Sequence, residues 1–237
     1  MMSATVPATI VTPGIQVVLF DLDGTLADSA PDLAGAVNAC LIARGRPPLP
    51  LDVLRPWASH GARGLIGQAF GLKPGDAGYE DLRVEFVDRY ESALCRHTTL
   101  FPGIEHMLGA LEQAGLRWGI VTNKVARLTT PLVRLLGLDE RAACVVSGDT
   151  AARPKPDPAP IAYALDACGC PPEAGVYVGD DERDIQAGRA AGVRTIAAAY
   201  GYSAAREDVA AWRADLIIEQ PADLLSWLLA DAAGRHA

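Results

Sequence analysis

The sequence predicts an α/β protein with a doubly wound, Rossmann-like parallel sheet and a helical domain inserted into it. Short apolar and β-branched runs alternate along the chain with patterns of helical period, which is the order of a strand–helix–strand protein. Most runs are almost continuously apolar, as expected of parallel strands covered on both faces. Only helical patterns occur between the first run and the second. The runs are IQVVLF (15–20), RWGIVT (117–122), ACVVS (143–147), GVYVG (175–179), VRTIAA (193–198) and DLII (215–218).

Three helical patterns each precede one of the later runs, and each of them ends at a glycine. The patterns are IEHMLGALEQAG, ARLTTPLVRLLG and DIQAGRAAG, which close at Gly115, Gly137 and Gly192. Glycine just beyond the last periodic residue is a common helix stop, because it adopts the left-handed conformation without a steric penalty. Strand, helix and strand therefore follow one another as in a doubly wound sheet.

The segment between the first two strands is predicted to be a separate helical domain. A crossover between parallel strands needs about a dozen residues and one helix. This segment holds the helical patterns PDLAGAVNACLIARG, DVLRPWASHGARGLIGQAFG and YEDLRVEFVDRYESALCRH. We therefore predict a flexible leader at residues 1–14, an α/β core made of residues 15–29 and 98–237, and an inserted cap at residues 30–97.

The composition argues against several classes of partner. The chain has 237 residues and a formal net charge of −8, which disfavours nucleic acid and anionic membranes as partners. It has no apolar run of the roughly 20 residues needed to cross a bilayer, and its first residues lack the Lys or Arg of a secretory signal. Five Cys, an odd number, fit reduced thiols. We expect a cytoplasmic monomer or homodimer that acts on a small molecule.

Polar residues follow the carboxyl ends of four of the predicted strands. Ligand sites of open α/β sheets lie at this edge, where the ends of parallel strands meet. Paired acids directly after a buried strand need a neutralising partner, because buried charge is costly unless it is paired. The residues concerned are Asp21 and Asp23 after the first strand, Thr122 and Asn123 after the second, Lys155 after the third, and Asp180, Asp181 and Asp184 after the fourth.

This set of side chains suits phosphoryl transfer. A phosphate ester needs cationic neutralisation, an in-line nucleophile and a proton donor for the leaving oxygen. Lys155 supplies one positive charge. Clustered carboxylates would repel phosphate unless they bind a hard cation, and carboxylates with waters and a substrate oxygen are typical of a Mg²⁺ site. A carboxylate can also attack phosphorus and form an aspartyl-phosphate.

Four segments, in this order, resemble the motifs of the haloacid dehalogenase (HAD) superfamily of phosphatases. They are DLDGTLADS, VTNK, KPDP and VGDDERD, and the resemblance covers essentially all of the chain from Ile15 onward. It implies a HAD core with an inserted cap. It also implies Mg²⁺-dependent hydrolysis of a phosphomonoester through an aspartyl-phosphate.

The resemblance further implies a role for each matching residue. Asp21 would be the nucleophile and a Mg²⁺ ligand, and Asp23 would be the general acid and then base, with its backbone carbonyl on the metal. Thr25 would orient Asp23 and is expected to be one of the substrate-binding residues. Thr122 and the Asn123 amide would hold the phosphoryl group, and Lys155 would pair with that group and with Asp21. Asp180 would be the other metal ligand. Asp184 would support Lys155 or the metal's waters.

Three acids within these motifs, Asp181, Asp28 and Asp23, need separate interpretation. Asp181 directly follows Asp180, and a solvated acid at a helix start is as good an interpretation as a role in the site. Asp28, with Ser29, is interpreted mainly as a cap for the first helix of the insert. Asp23 separates the chain from the dehalogenase branch, which lacks this second acid, because the alkoxide of a phosphate ester needs a proton to leave.

The insert resembles the mobile cap of this superfamily, which excludes water and carries residues that read the organic part of the substrate. In the stretch SHGARGLIG (59–67), Arg63 is a candidate partner for a substrate carboxylate. His60 is a candidate hydrogen-bond or proton donor. The alternative is a helix start with Arg63 in solvent.

Among capped members, two groups are similar to this sequence. Phosphoglycolate phosphatases resemble it in the overall pattern, including PDLAGAVN. N-acetylmuramic acid 6-phosphate phosphatases resemble it in SHGARGL, WGIVTNK, GDDERDIQAGRAAG and AAAYGY. Both substrates carry a carboxylate. We expect a phosphatase acting on 2-phosphoglycolate, with the muramic ester as the alternative. A sugar phosphomutase of the same architecture is less favoured, because it would need a bisphosphate activator and a more sheltered intermediate. A catalytically silent binding protein is also less favoured, because every motif acid, the Thr and the Lys are present.

Overall fold

The computed structural model describes residues 14–233 and has the predicted α/β architecture. Except for Gly14, the predicted leader lies outside the described residues. The strands are β1 (Val17–Phe20), β2 (Ala27–Asp28), β3 (Thr99–Leu100), β4 (Arg117–Val121), β5 (Val145–Val146), β6 (Gly175–Gly179), β7 (Arg194–Ala198) and β8 (Leu216–Ile218).

Helices occupy most of the remaining chain. The α-helices are α1 (Ala30–Ile42), α2 (Leu51–Leu54), α3 (Gly61–Phe70), α4 (Tyr79–Ser92), α5 (Ile104–Gln113), α6 (Ala126–Leu135), α7 (Ala159–Ala167), α8 (Glu182–Ala191) and α9 (Pro221–Ala233). Short 3-10 helices span Arg55–His60, Pro172–Ala174, Ser203–Ala205 and Val209–Trp212. No helix in the described part of the chain is both long and apolar enough to cross a membrane.

Six of the strands form one parallel sheet, in the order β5-β4-β1-β6-β7-β8. Each of the six predicted apolar runs contains one of these strands, so the prediction of a doubly wound parallel sheet is confirmed. The third run is much shorter as a strand than as a pattern, because β5 lies at the sheet edge and pairs only with β4, through Val145 and Val146.

Both faces of the sheet are covered, which explains the continuous apolar runs. Successive side chains of β1 point to opposite faces. Val18 and Phe20 pack in a cluster with residues of α5, α6 and α9. Val17 and Leu19 pack in a second cluster with residues of α7 and α8. All four side chains are fully buried.

The three helices predicted to stop at glycine do so. Gly115 and Gly137 lie just beyond α5 and α6, Gly192 caps α8, and all three adopt positive φ angles. These stops return the chain to the next strand on the side of the sheet opposite to the site.

The insert is a bundle of α1, α2, α3 and α4 around its own apolar cluster, which includes Val37, Leu65 and Phe86. It joins the core through a two-stranded antiparallel ribbon in which β2 pairs with β3. The same cluster also takes in Leu128 and Tyr202 of the core, so the cap packs directly against the edge of the sheet where the motif residues lie.

Candidate active site

The strand register brings the motif residues together at one edge of the sheet. Phe20, the last residue of β1, pairs with Ile120 of β4 on one side and with Val178 of β6 on the other. Asp21 follows Phe20, and its backbone N–H donates to Val178 O at 2.9 Å. The chain segments after β1, β4 and β6 therefore start side by side, as the sequence analysis expects of parallel strands.

Lys155 lies at the centre of this edge and is almost fully buried. Its Nζ lies 2.9 Å from Asp21 Oδ1 and 2.7 Å from Asp184 Oδ1, and it donates to the hydroxyl of Tyr177 at 2.7 Å and to the carbonyl of Val121 at 2.9 Å. Burial alone would lower the pKa of Lys155, but the carboxylates of Asp184 and Asp21 outweigh it and raise the pKa above its usual value. The ammonium therefore stays charged.

Asn123 positions Lys155 through the backbone. The Asn123 side chain accepts a hydrogen bond from Lys155 N–H and donates one to Lys155 O, both at 2.9 Å. This pair of bonds fastens the Pro-rich loop of the third motif to the end of β4. Thr122 is buried beside it and borders the same cavity as Asp21.

Three carboxylates form a cluster that can hold a cation. Ligand oxygens of Asp21, Asp180 and Asp184 lie within 4.8 Å of one another, and all three residues are buried. Burial, with the charges of Asp21 and Asp184, raises the pKa of Asp180 well above its usual value. Burial also raises the pKa of Asp184 to about 7, with Lys155 opposing and Asp21 adding to the shift. One ammonium does not neutralise the cluster.

The local geometry fits a hard cation such as Mg²⁺. Asp21 Oδ1 is buried and pairs with Lys155 Nζ at 2.9 Å. Gly24 and Gly201 lie against Asp180 so closely that a Cβ at either position would overlap its carboxylate. Three buried carboxylates beside a single ammonium leave an excess of negative charge, and oxygen ligands of this kind suit a hard divalent cation. Asp23, whose backbone carbonyl is implied as a further ligand, follows two residues after Asp21.

The carboxylate of Asp23 has a separate set of partners. Its Oδ1 lies 3.0 Å from Lys124 Nζ and accepts a hydrogen bond from the hydroxyl of Ser29. Lys124 is buried, and its ammonium also donates to the hydroxyl of Tyr90, a cap residue, at 3.0 Å. Burial would lower the pKa of Lys124, but Asp23 outweighs this effect and raises the pKa above its usual value. The Asp23 Oδ2 atom has no hydrogen bond to a described residue.

Thr25 differs from its expected role. Its hydroxyl donates to Asp180 Oδ1 at 3.2 Å and does not contact Asp23. The cause is local: the backbone N–H groups of Thr25 and Leu26 fold back onto Leu22 O, which turns the Thr25 side chain toward the end of β6. Thr25 thus orients a proposed metal ligand, while Ser29 and Lys124 hold Asp23.

Asp181 combines the two interpretations that the sequence left open. It is the N-cap of α8 and forms a reciprocal capping box with Asp184. It is nevertheless buried, because Arg183 and the cap residue His60 cover it, with His60 Nε2 at 3.2 Å. Burial would raise the pKa of Asp181, but the hydrogen bonds from His60 and Arg183 outweigh it and lower the pKa well below its usual range.

The expected cap at Asp28 and Ser29 is not formed by side chains. Ser29 occupies the N-cap position of α1, but its hydroxyl makes no capping bond, because it donates to Asp23 instead. The carboxylate of Asp28 lies 2.7 Å from Arg55 and accepts from the hydroxyl of Tyr202 at 2.9 Å. Both residues therefore connect elements of the site.

The motif side chains open onto a cavity of about 380 Å³ between the core and the cap. Asp21, Asp23, Thr122 and Lys155 belong to its polar lining. The lining also includes apolar side chains, most of them on three helices. The apolar lining consists of Leu33, Phe86 and Val87 of the cap and Val125 and Leu128 of the core, with the ring of Tyr90 beside them.

Arg63 does not line this cavity. It is exposed and borders a separate groove with Trp57 and Gln68, whereas His60 borders both spaces. The reason is helical geometry. Gly61 starts α3 and faces the cavity, and each further residue turns by about 100°, so Arg63, two residues later, lies on a different side of the helix. The solvent-exposed alternative therefore describes Arg63, and the cap arginine that lines the cavity is Arg83.

Sequence reasoning assigned no role to several residues of this site. Lys124 carried one signal, since the chain has only Lys73, Lys124 and Lys155 as lysines. From the sequence, Ser29 is interpreted only as a helix cap. Ser59 and Arg183 lie inside the quoted stretches SHGARGLIG and VGDDERD, but residue type alone does not show where their side chains turn. Arg83 and Tyr90 lie on α4, far from the motifs along the chain, and Tyr202 follows β7.

Comparisons with known proteins agree with this architecture. A phosphoglycolate phosphatase of Xanthomonas campestris is 48% identical over 209 residues, which cover 88% of this chain and 94% of the relative. An N-acetylmuramic acid 6-phosphate phosphatase of Pseudomonas aeruginosa is 41% identical over 214 residues, covering 90% of this chain and 95% of the relative. The crystal structure of "a predicted phosphoglycolate phosphatase" from Haemophilus somnus matches with a TM-score of 0.80 and 28% identity, covering 91% and 98% of the two chains.

The model of one protein family spans most of the chain. The family is described as "Haloacid dehalogenase-like hydrolase", and its model matches residues 18–198, which include all four motifs and the cap. This is well over half of the chain. The protein therefore belongs to the haloacid dehalogenase-like hydrolase family.

Proposed function

We propose that this phosphoric monoester hydrolase is a Mg²⁺-dependent phosphatase that works through a phosphorylated Asp21, with 2-phosphoglycolate as its first candidate substrate. The observation that carries the mechanism is the contact of the buried Lys155 Nζ with Asp21, at 2.9 Å. A charged ammonium beside a carboxylate in the lining of a cavity attracts the phosphoryl group to the nucleophile.

The chain's own residues account for both half-reactions. A carboxylate oxygen of Asp21 attacks phosphorus, and the ester oxygen leaves with a proton from Asp23. Water then attacks the aspartyl-phosphate, and Asp23 takes the proton from it. Asp23 Oδ1 is held by Ser29 and Lys124, which leaves Oδ2 to exchange the proton. Thr122 and the backbone at Asn123 border the position of the transferring group.

Asp21 and Asp180 would hold the metal with the backbone carbonyl of Asp23, and Asp184 completes the acidic cluster. When bound, Mg²⁺ neutralises charge on the phosphoryl oxygens. The pKa of Asp180 is raised because burial and two neighbouring acids disfavour its charged form, and a bound cation removes this penalty.

Support for 2-phosphoglycolate comes from the Xanthomonas relative, which is named for this substrate. The substrate carboxylate needs a cationic partner in the cavity. Arg83 lines the cavity and, among the described residues, pairs only with the exposed Glu80, through its Nε. Its other guanidinium N–H groups are left for a ligand. Arg83 is therefore the proposed partner, in place of Arg63.

One observation favours N-acetylmuramic acid 6-phosphate as a second candidate. The cavity of about 380 Å³ lies in the range of roughly 300–1,000 Å³ found for pockets that take drug-sized ligands, and a two-carbon acid fills little of that space. Its apolar side chains can pack against a sugar ring and an acetamido group. The Pseudomonas relative is named for this ester.

The test is phosphate release from both esters, hexose phosphates and nucleotides, with Mg²⁺ and with excess chelator. We expect chelation to abolish turnover, and Asp21→Asn to lower kcat to roughly 10⁻⁴ of the wild-type value or less. Asp139→Asn, which changes an exposed carboxylate in the core, is the matched control. Near-normal turnover by the Asp21 variant would refute the mechanism. The ester with the highest kcat/KM decides between the two substrates.

A further inference from the structure

We infer that Ser59 of the cap is a positioning residue of the proposed metal site, so that closure of the cap and binding of the divalent cation are thermodynamically coupled. The inference rests on the proposed function, because it takes Asp180 as a ligand of the cation. It concerns a residue outside the four motifs, which lies 121 positions away from Asp180 along the chain.

Three donors hold the carboxylate of Asp180, which is fully buried. The hydroxyl of Thr25 donates to Oδ1 at 3.2 Å, and the backbone N–H of Tyr202 donates to Oδ2 at 2.9 Å. Both donors belong to the core. The third donor is the hydroxyl of Ser59, at 2.8 Å from Oδ2, and it is the one that the cap supplies. One of the three restraints on this ligand therefore exists only while the cap is closed.

The segment that carries Ser59 is fastened to the same part of the core by its neighbours. Arg183 donates to the backbone carbonyl of Ser59 at 2.9 Å, and His60 Nε2 lies 3.2 Å from Asp181. These contacts converge on residues that follow β6, directly beside Asp180. Ser59 is thus placed by its own carbonyl as well as by its hydroxyl.

A further contact holds the start of the same 3-10 helix. Arg206 donates from Nε to Pro56 O at 2.6 Å, and its guanidinium lies over the Trp57 ring, 4.4 Å from the ring centroid. Arg206 belongs to the core segment after β7. The 3-10 helix Arg55–His60 therefore docks on the core as a unit, and movement of the cap away from the core removes the Ser59 bond together with these contacts.

Hydrogen bonds to a ligating carboxylate fix its orientation, and their loss typically weakens metal binding about 10–100-fold. Because coupling of two equilibria is reciprocal, a cation that binds better when Ser59 is in place must also favour the closed cap. This arrangement forms the complete metal site only beneath a closed lid, where water is excluded from the phosphoryl group.

The first test is calorimetric titration of the substrate-free protein with Mg²⁺. We expect Ser59→Ala to raise the Kd for Mg²⁺ about 10-fold or more, and Ser59→Thr, which keeps the hydroxyl, to restore most of the affinity. Ser92→Ala is the matched control, because Ser92 is an exposed serine of the cap whose hydroxyl bonds only to the backbone of Arg89. Its Kd should equal that of the wild type. Thermal denaturation of each variant verifies folding.

The second test is hydrogen exchange of the peptide that contains residues 55–60. Saturating Mg²⁺ should slow exchange in this peptide in the wild type, and should slow it less in Ser59→Ala. An unchanged Kd in the folded Ser59→Ala variant would overturn the inference, and so would an exchange rate that Mg²⁺ does not alter in the wild type. Failure of the proposed function is a different result, in which the wild type itself shows no Mg²⁺-dependent turnover.

Discussion

Lys155 and Lys124 are two buried lysines of one site, and they are held in different ways. Each ammonium pairs with a carboxylate of the loop after β1: Lys155 Nζ lies 2.9 Å from Asp21, and Lys124 Nζ lies 3.0 Å from Asp23. Their side chains are 2% and 7% exposed. Both pKa values are raised because a nearby acid outweighs the effect of burial.

The difference lies in the remaining partners. Those of Lys155 all belong to the core, since it contacts Asp184, Tyr177 and a carbonyl of β4. The second partner of Lys124 is Tyr90, on the cap helix α4. The ammonium of Lys155, beside the proposed nucleophile, therefore has no partner among the described cap residues. The ammonium of Lys124, beside the proposed acid and base, contacts both the core and the cap. In the proposed mechanism, the ammonium that attracts the phosphate is held by the core alone, and the ammonium beside the proton donor contacts both domains.

Removal of the core lysine should have the largest effect. Lys155→Gln leaves Asp21 and Asp184 buried without their ammonium, so we expect kcat/KM to fall about 10²–10³-fold and the free energy of unfolding to fall by about 3–5 kcal/mol. Steady-state kinetics and urea denaturation measure the two losses. Lys73→Gln, at an exposed turn of the cap, is the control and should change neither. Retention of more than about a tenth of the activity by the Lys155 variant would contradict the assigned role.

The lysine shared with the cap should matter less. Lys124→Gln removes a charged hydrogen bond from Asp23, and we expect kcat to fall about 10–100-fold. Tyr90→Phe removes only the cap hydroxyl, so its effect on kcat should be a few-fold. In the double variant the two losses should not add, because both act through one ammonium. Fully additive effects would show that Tyr90 acts on the reaction independently of Lys124.

Two cap arginines test how the cavity reads a substrate carboxylate. Arg83→Gln should raise KM for a carboxylated ester about 5–10-fold with little change in kcat, because a lost charge-assisted hydrogen bond weakens binding of the ground state and the transition state equally. Arg63→Gln, on the outer groove, should leave KM within about twofold of the wild-type value. A larger rise in KM for Arg63→Gln than for Arg83→Gln would show that Arg63, and not Arg83, binds the substrate carboxylate.

An ion-pair cluster inside the cap provides the smallest expected effect. Glu85 of α4 lies 2.7 Å from Arg44 and 2.8 Å from Arg89. The hydrogen bond from Arg44 is the main reason that the pKa of Glu85 is lowered, although burial opposes it. A depressed pKa in the folded state stabilises the protein above the unfolded pKa of about 4.3, and this stabilisation is lost as the pH falls through the folded value.

We therefore expect Glu85→Gln to lower the free energy of unfolding by about 0.5–1 kcal/mol at pH 7 and to leave kcat unchanged. The difference from the wild type should shrink as the pH falls below about 4. Urea denaturation over this pH range measures it. A difference that grows on acidification would mean that Glu85 is not stabilised as a carboxylate.

Much of the core was predictable because its signals are local. The run VVLF reads as a covered parallel strand, and the three glycine stops mark helix ends by backbone conformation alone. The motif acids follow strand ends, and parallel strands align those ends in any sheet of this kind. For this reason the sequence places Asp21, Thr122, Lys155 and Asp180 at one edge, where the structure also has them.

The cap was less predictable, because its contribution depends on the side to which each residue turns. In the stretch SHGARGLIG the sequence favoured Arg63, yet Gly61 and not Arg63 faces the cavity, and Ser59, the first residue of the stretch, makes the contact with Asp180. Thr25 shows the same limit within the core. Its backbone folds back on Leu22, so its hydroxyl reaches the end of β6, and no spacing rule reports that turn.

The sequence by itself determined the parallel sheet, the inserted helical domain and the set of charged groups at the sheet edge, because hydrophobic period, glycine stops and residue type are properties of short segments. The tertiary structure alone decided which donor holds which acid: Ser29 and Lys124 on Asp23, and Thr25 and Ser59 on Asp180. The physical reason is that a hydrogen bond needs a distance near 3 Å and a defined direction. For partners from different domains, only the packing of cap on core sets both.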